Sequence, residues 1–220
     1  MEVCSRLPFF LLRWRKLTTV LGQPRLRQAL LRHRVLAGVE HQGIFARPLA
    51  TVVDIGANRG QFALAARAFG CRRVYAFEPL PKPAQVCENL FQGDPAVSLY
   101  RVAIGETAKR ERIHVAARDD SSSLLEITQS QATIFPGTHE VTTLEIEVKP
   151  LDQCLSPEEI APPALLKLDV QGYEYQALLG CESLLQHFDQ IYCECSFLEL
   201  YRGQKLAADV IHYLQQQGFA

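Results

Sequence analysis

From residue 51 onward the chain alternates short β-branched runs with helical stretches. That alternation commits it to a parallel sheet with crossover helices. Residues 51–55 form the first strand and end in glycines, 61–69 an alanine-rich helix stopped by Gly70, and 74–77 the second strand. A second helix is expected over 83–91, a third strand over 97–104, and an antiparallel pair over 112–116 and 141–148. An apolar fourth strand over 165–170, a helix over 174–187, a fifth strand over 191–197 and a helix over 206–217 complete the pattern. The fold class is therefore α/β, a mostly parallel sheet with helices on both faces and right-handed crossovers. In such sheets ligands bind beyond the carboxyl ends of the strands. The segments of interest are thus 56–60, Glu78, 103–105, 169–174 and 194–196.

With 220 residues, 48% of them hydrophobic, and a net charge of −1, the chain has enough apolar mass for one domain without a disulfide or metal staple. Its seven cysteines form an odd set with no C-x-x-C pair, which points to a reduced, cytoplasmic setting. Cys193 and Cys195 share one face of the expected fifth strand and read as small core residues; no metal is expected. The early apolar run 7–12 is too short to span a bilayer, so no transmembrane segment is expected. Residues 1–50 hold nine Lys/Arg against Glu2 and Glu40. This basic arm reads first as solvated faces of two short helices packed on the domain, broken at Gly22 and Pro24, and second as a contact for an anionic membrane surface or partner. The organisation expected is an N-terminal basic helical segment over 1–45 and one domain over 46–220.

The chemistry concentrates at three strand ends. Asp54-Ile-Gly56-Ala-Asn58-Arg-Gly60 lies where the first strand turns into the first helix, and glycines there let backbone approach a ligand. Asn58 stands where a dinucleotide fingerprint has its second glycine, and its amide fills the space a pyrophosphate needs. Glu78 ends the second strand and is placed to accept both hydroxyls of a ribose. Asp54 adds negative charge that repels phosphate and attracts a sulfonium or ammonium. A nucleoside carrying a cationic tail, S-adenosylmethionine, satisfies both. Asp169 at the fourth strand end adds a third carboxylate.

The stretches Val53-Asp-Ile-Gly-Ala-Asn-Arg-Gly60, Ala76-Phe-Glu-Pro79, Leu166-Lys-Leu-Asp-Val-Gln-Gly-Tyr-Glu174 and Ser196-Phe with Leu200-Tyr-Arg-Gly-Gln204 together resemble the FkbM family of S-adenosylmethionine-dependent methyltransferases. The resemblance runs in order from about residue 36 to 219. It implies a Rossmann-like class I methyltransferase fold and O-methylation of a hydroxyl on a sugar or other small molecule. Carried over by motif, Asp54, Gly56, Asn58 and Gly60 hold the methionine portion, Glu78 the ribose, and Asp169 the methionine amine or the acceptor. Ser122 and Ser123 resemble a serine-rich stretch near the site; read alone they are a solvated loop.

A sulfonium methyl is already electrophilic, so in-line alignment supplies most of the acceleration, and a base assists a neutral hydroxyl. Asp169 is the first candidate for that catalytic base, with Glu174 and Glu194 as alternatives; His41, His114 and His139 read as surface or satisfied histidines. Tyr201, Gly203 and Gln204 form either a lip over the acceptor or an ordinary loop. The full fold implied by the resemblance ends in a strand hairpin with no counterpart here, which leaves the fifth strand as an exposed edge and predicts a truncated product, poorly soluble or a homodimer through that edge. Other readings are a binding module without turnover and a nicotinamide-dependent oxidoreductase, the latter disfavoured by the missing G-x-G-x-x-G. With pI 6.6 and no N-P-P-[YF] motif after the fourth strand, no nucleic-acid partner is expected.

Overall fold

A computed structural model describes residues 18–220. The early apolar run, Cys4 and the basic residues before position 18 lie outside the described residues. A helical stretch through residue 22 leads into helix α1 (Pro24–Gln28), which runs on as a π turn (Ala29–His33) and ends with Arg34 in the left-handed region. A 3₁₀ segment, Val39–Ala46, follows.

Then come β1 (Thr51–Ile55), α2 (Gln61–Ala68), β2 (Arg73–Phe77), α3 (Pro81–Leu90), β3 (Val97–Tyr100), β4 (Ala103–Ile104), β5 (Lys109–Ala116), α4 (Gln129–Ile134), β6 (Glu140–Lys149), β7 (Ala164–Leu168), α5 (Glu174–Leu179), β8 (Gln190–Cys193) and α6 (Ala207–Gln216). Five strands form a parallel sheet in the order β3-β2-β1-β7-β8, and β4-β6-β5 form a smaller sheet.

β1 is buried along its whole length because helices cover both faces of the sheet. Its residues alternate between two cores. Val53 and Ile55 join Tyr75, Phe77, Leu166 and Leu168 on one face; Val52 joins Val74, Ala76 and Leu165 on the other. The second face is covered by α2 through Phe62 and Ala66, and also by Val20, Leu26, Ala29, Val35, Val39 and Phe45. The described part of the N-terminal basic segment, from residue 18 to 45, therefore shares its core with the sheet.

Two expected elements are divided. The third strand expected over 97–104 breaks after Tyr100, and Ala103–Ile104 pairs with β6 in the other sheet. The helix expected over 174–187 stops at Leu179 and resumes as a 3₁₀ turn, Glu182–His187. At the intervening Gly180 a Cβ would lie 2.4 Å from the Gly105 carbonyl oxygen, so backbone crosses backbone there. The fifth strand is also shorter than expected, ending at Cys193, and it forms one edge of the sheet.

Candidate active site

Beyond the carboxyl ends of β1, β2, β7 and β8 lies a cavity of about 530 Å³. The β1–α2 turn supplies Gly56 and Asn58, β2 supplies Glu78, β7 and its following turn supply Lys167, Asp169 and Gln171, and Glu194 follows β8. The loop after β5 adds Ser122 and Ser123, and the Val39–Ala46 segment adds Glu40 and His41. Its ionisable wall is acid-rich, with Glu40, Glu78, Asp120, Asp169 and Glu194 against the buried Lys167. Such a wall favours a cationic ligand and repels phosphate.

Glu78 is 6% exposed and its two oxygens accept the backbone N–H groups of Asn58 (2.9 Å) and Leu80 (2.8 Å). Desolvation outweighs these donors and pushes its pKa up to about 7. Each carboxylate oxygen keeps a second lone-pair direction for a ligand hydroxyl.

The glycine turn works differently from the sequence expectation. Gly56 sits at φ +77, and a Cβ there would lie 1.9 Å from the Asp169 carbonyl oxygen, so its small size serves the close approach of the β1 and β7 ends while its backbone still lines the cavity. A Cβ on Gly60 would meet Phe91 and Cys87, which makes that glycine a helix-packing position outside the cavity wall. Asn58 adopts φ +49 and lines the cavity as expected.

Asp54 is not a wall residue. It is 0% exposed, and the sheet register sets it directly beside Lys167, whose Nζ lies 2.9 Å from Asp54 Oδ1 and donates to the Gly56 carbonyl at 2.8 Å. Desolvation pulls the Lys167 ammonium toward neutrality, but Asp54 and Asp169 outweigh it and hold its pKa above the ordinary value. The sequence reading passed over Lys167, although a lone cation within an apolar strand is itself a signal that a buried partner exists.

Asp169 lies on the cavity side, its side chain 43% exposed, with Oδ2 3.8 Å from Lys167 Nζ. Desolvation raises its pKa, while Lys167 and hydrogen bonds from Glu194 and Gln171 more than reverse that, leaving the carboxyl below its usual range. Burial first, and the neighbouring Asp169 second, push Glu194 up to about 8. The two acids are thus driven in opposite directions, Asp169 toward its charged form and Glu194 toward its neutral one.

Gln171 clamps them: its Nε2 donates to Asp169 Oδ1 at 2.8 Å and to Glu194 Oε2 at 3.1 Å. The residue holds φ +55, and its Oε1 lies 3.0 Å from the Tyr201 hydroxyl. The 166–174 motif contains Gln171 but does not disclose its role, because neither its backbone angle nor its partners are local.

Glu174 is spent structurally, accepting the N–H groups of Val170 (3.0 Å) and Gly172 (3.2 Å). Ser122 lines the cavity and its Oγ accepts the Ala116 N–H at 3.1 Å; Ser123 also lines it and accepts from Leu125. His41 lines the cavity with its Nδ1 3.1 Å from the Tyr192 hydroxyl, whereas His114 pairs with Glu140 on the smaller sheet and His139 lies outside the wall. Gln204 is a loop staple, its Oε1 accepting the N–H groups of Leu200 and Tyr201. Cys193 and Cys195 bring their sulfurs to 3.9 Å.

The sequence model described as "Methyltransferase FkbM domain" matches residues 54–220. The 2-O-methyltransferase NoeI of Sinorhizobium fredii (strain NBRC 101917 / NGR234) is 27% identical, the alignment covering 73% of this chain and 69% of that protein. Among solved structures, the ribosomal protein L11 methylase of Lactobacillus delbrueckii subsp. bulgaricus overlaps 29% of this chain at 21% identity and a TM-score of 0.25. This chain spans 40% of that methylase. Within the described residues no helix is long and apolar enough to cross a membrane.

Proposed function

Because the chain belongs to the FkbM methyltransferase family, we propose that it methylates a hydroxyl oxygen of a saccharide or similar small molecule, with S-adenosylmethionine as donor. The observation that carries this reading is the Asp169–Glu194 pair set in an acid-rich cavity at the strand ends. The NoeI relative, named as a 2-O-methyltransferase, supports oxygen as the acceptor atom.

The residues present fit the donor. Glu78, buried yet on the wall, offers carboxylate lone pairs to ribose hydroxyls, and Asn58 and the Gly56 backbone border the room beside it. The acid-rich wall matches a donor with two positive groups. When bound, S-adenosylmethionine supplies an electrophilic methyl group, so positioning provides most of the rate.

The chain's own work is at the acceptor. An acceptor hydroxyl donates to the Asp169 carboxylate, which Lys167 and the Gln171 amide hold in one orientation. The proton lost from that hydroxyl is taken up by the Asp169–Glu194 pair. Asp54 acts at one remove, as the buried partner that keeps Lys167 in place.

Calorimetric titration with S-adenosylhomocysteine and transfer of radiolabelled methyl to a panel of neutral sugars and other alcohols test the proposal. Product formation abolished in Asp169→Asn, with S-adenosylhomocysteine still bound, is the expected result. Binding with no product from any acceptor would overturn the reading in favour of a module without turnover. A homodimer through the β8 edge belongs to the same reading, and sedimentation velocity over a concentration series checks it.

A further inference from the structure

A second cavity of about 300 Å³ adjoins the first and shares Asp120, Gln171 and Glu194 with it. Its far side is built by the turn of chain around α4. Thr128 caps that helix by accepting the Gln131 N–H at 3.2 Å, and the Gln131 carbonyl accepts from Phe135 N–H and the Thr138 hydroxyl. The Gln131 side chain is fixed as well. It is 4% exposed, its Nε2 lies 3.2 Å from the Tyr201 hydroxyl, and among the described residues its Oε1 has no donor. A buried acceptor without a donor is destabilising, and a ligand hydroxyl would remove that cost. Beside it Phe135, 45% exposed, offers an aromatic face on the cavity wall.

The charges on this wall decide what kind of ligand fits. Its one cation among the described lining residues, Arg118, is paired with Asp120 at 2.8 Å. Glu174 is occupied by backbone N–H groups, and Glu194 belongs to the carboxyl pair. A phosphate would find carboxyls and no unengaged countercharge. Amides, hydroxyls and one aromatic face instead suit an uncharged hydroxylated ring.

We infer that the second cavity holds a further neutral saccharide unit of the acceptor, donating a hydroxyl to Gln131 Oε1 and stacking on Phe135, while the methylated hydroxyl lies across the Gln171–Glu194 boundary at Asp169. This rests on the proposed O-methyl transfer and adds that the acceptor is at least a disaccharide, carrying neither phosphate nor a sugar nucleotide.

The test uses the full chain with maltose, cellobiose, chitobiose and their monosaccharides as probes. It reads radiolabelled methyl transfer and, separately, saturation-transfer NMR binding of each sugar. Gln131→Leu and the surface variant Phe135→Ala should each lower the preference in kcat/KM for a disaccharide over its monosaccharide about tenfold, the size expected for losing one buried hydrogen bond or one stacked face. They should also weaken disaccharide binding in the NMR experiment, with S-adenosylhomocysteine affinity unchanged in calorimetry. Methyl transfer with an unaltered preference in the folded Phe135→Ala protein would overturn the inference and leave the methyltransferase reading standing. Absence of transfer to every sugar, with disaccharide binding that both variants weaken, would sink the proposed reaction while supporting the saccharide subsite.

Discussion

Lys167 sets the electrostatics of the site residue by residue. Replacing it by methionine leaves Asp54 as an uncompensated buried charge, and the expected loss is about 3–5 kcal/mol, measurable by urea denaturation. Glu78 and Glu194 govern the pH response. The folded pKa of Glu78 is raised from 4.5 to about 7 and that of Glu194 to about 8, so between 4.5 and these values the folded state binds more protons than the unfolded chain. The stability these groups contribute is fully present below 4.5 and is lost as pH rises through about 7 and about 8. Function runs the opposite way, because ionised Glu78 is the better acceptor. Calorimetry should show S-adenosylhomocysteine binding tighten between about pH 6 and about pH 8, and Glu78→Gln should flatten that trend. The methyl-transfer rate should likewise climb as the acid pair releases its proton near pH 8, a limb absent from the pH profile of Glu194→Gln. At this scale the sequence displayed Glu78 and Asp169, because carboxylates at strand ends are local facts. It misplaced Asp54, since only the β1–β7 register reveals that its neighbour is a lysine.

Helices and strands are joined by close backbone crossings that composition does not disclose. The strand–turn–helix alternation of 51–77 was legible because apolar period and glycine placement are properties of adjacent residues. The break at Gly180 was not, since its cause is Gly105, far away in the chain. Gly180→Ala should therefore destabilise the protein by about 1–3 kcal/mol or more through overpacking. Gly43→Ala, whose Cβ would face open space, should leave the thermal midpoint within a degree or two. The division of the expected third strand was hidden too, because the partner of its second part, Val148–Lys149, is distant in the chain. Arg101 turns outward to Glu88 (2.7 Å), and the chain then delivers Ala103–Ile104 to β6 in the other sheet.

For the molecule as a whole, the N-terminal segment and the sheet stand or fall together. Val20, Leu26, Val35 and Phe45 lie in the same core as Val52, Val74 and Leu165. A chain begun at residue 47 exposes that face, and the expected outcome is loss of a single cooperative urea transition, followed by circular dichroism. The α/β class and the packing of two short helices on the domain could be read from the sequence, but not which face of the sheet they cover, because leucine spacing identifies a helix without identifying what it packs against. The Asp54–Lys167 pairing has a practical corollary for anyone who would borrow this chemistry. Transplanting the loops alone would carry the acid pair without the counter-charge that tames it, so a workable graft must move two neighbouring strands together, in register, as one piece.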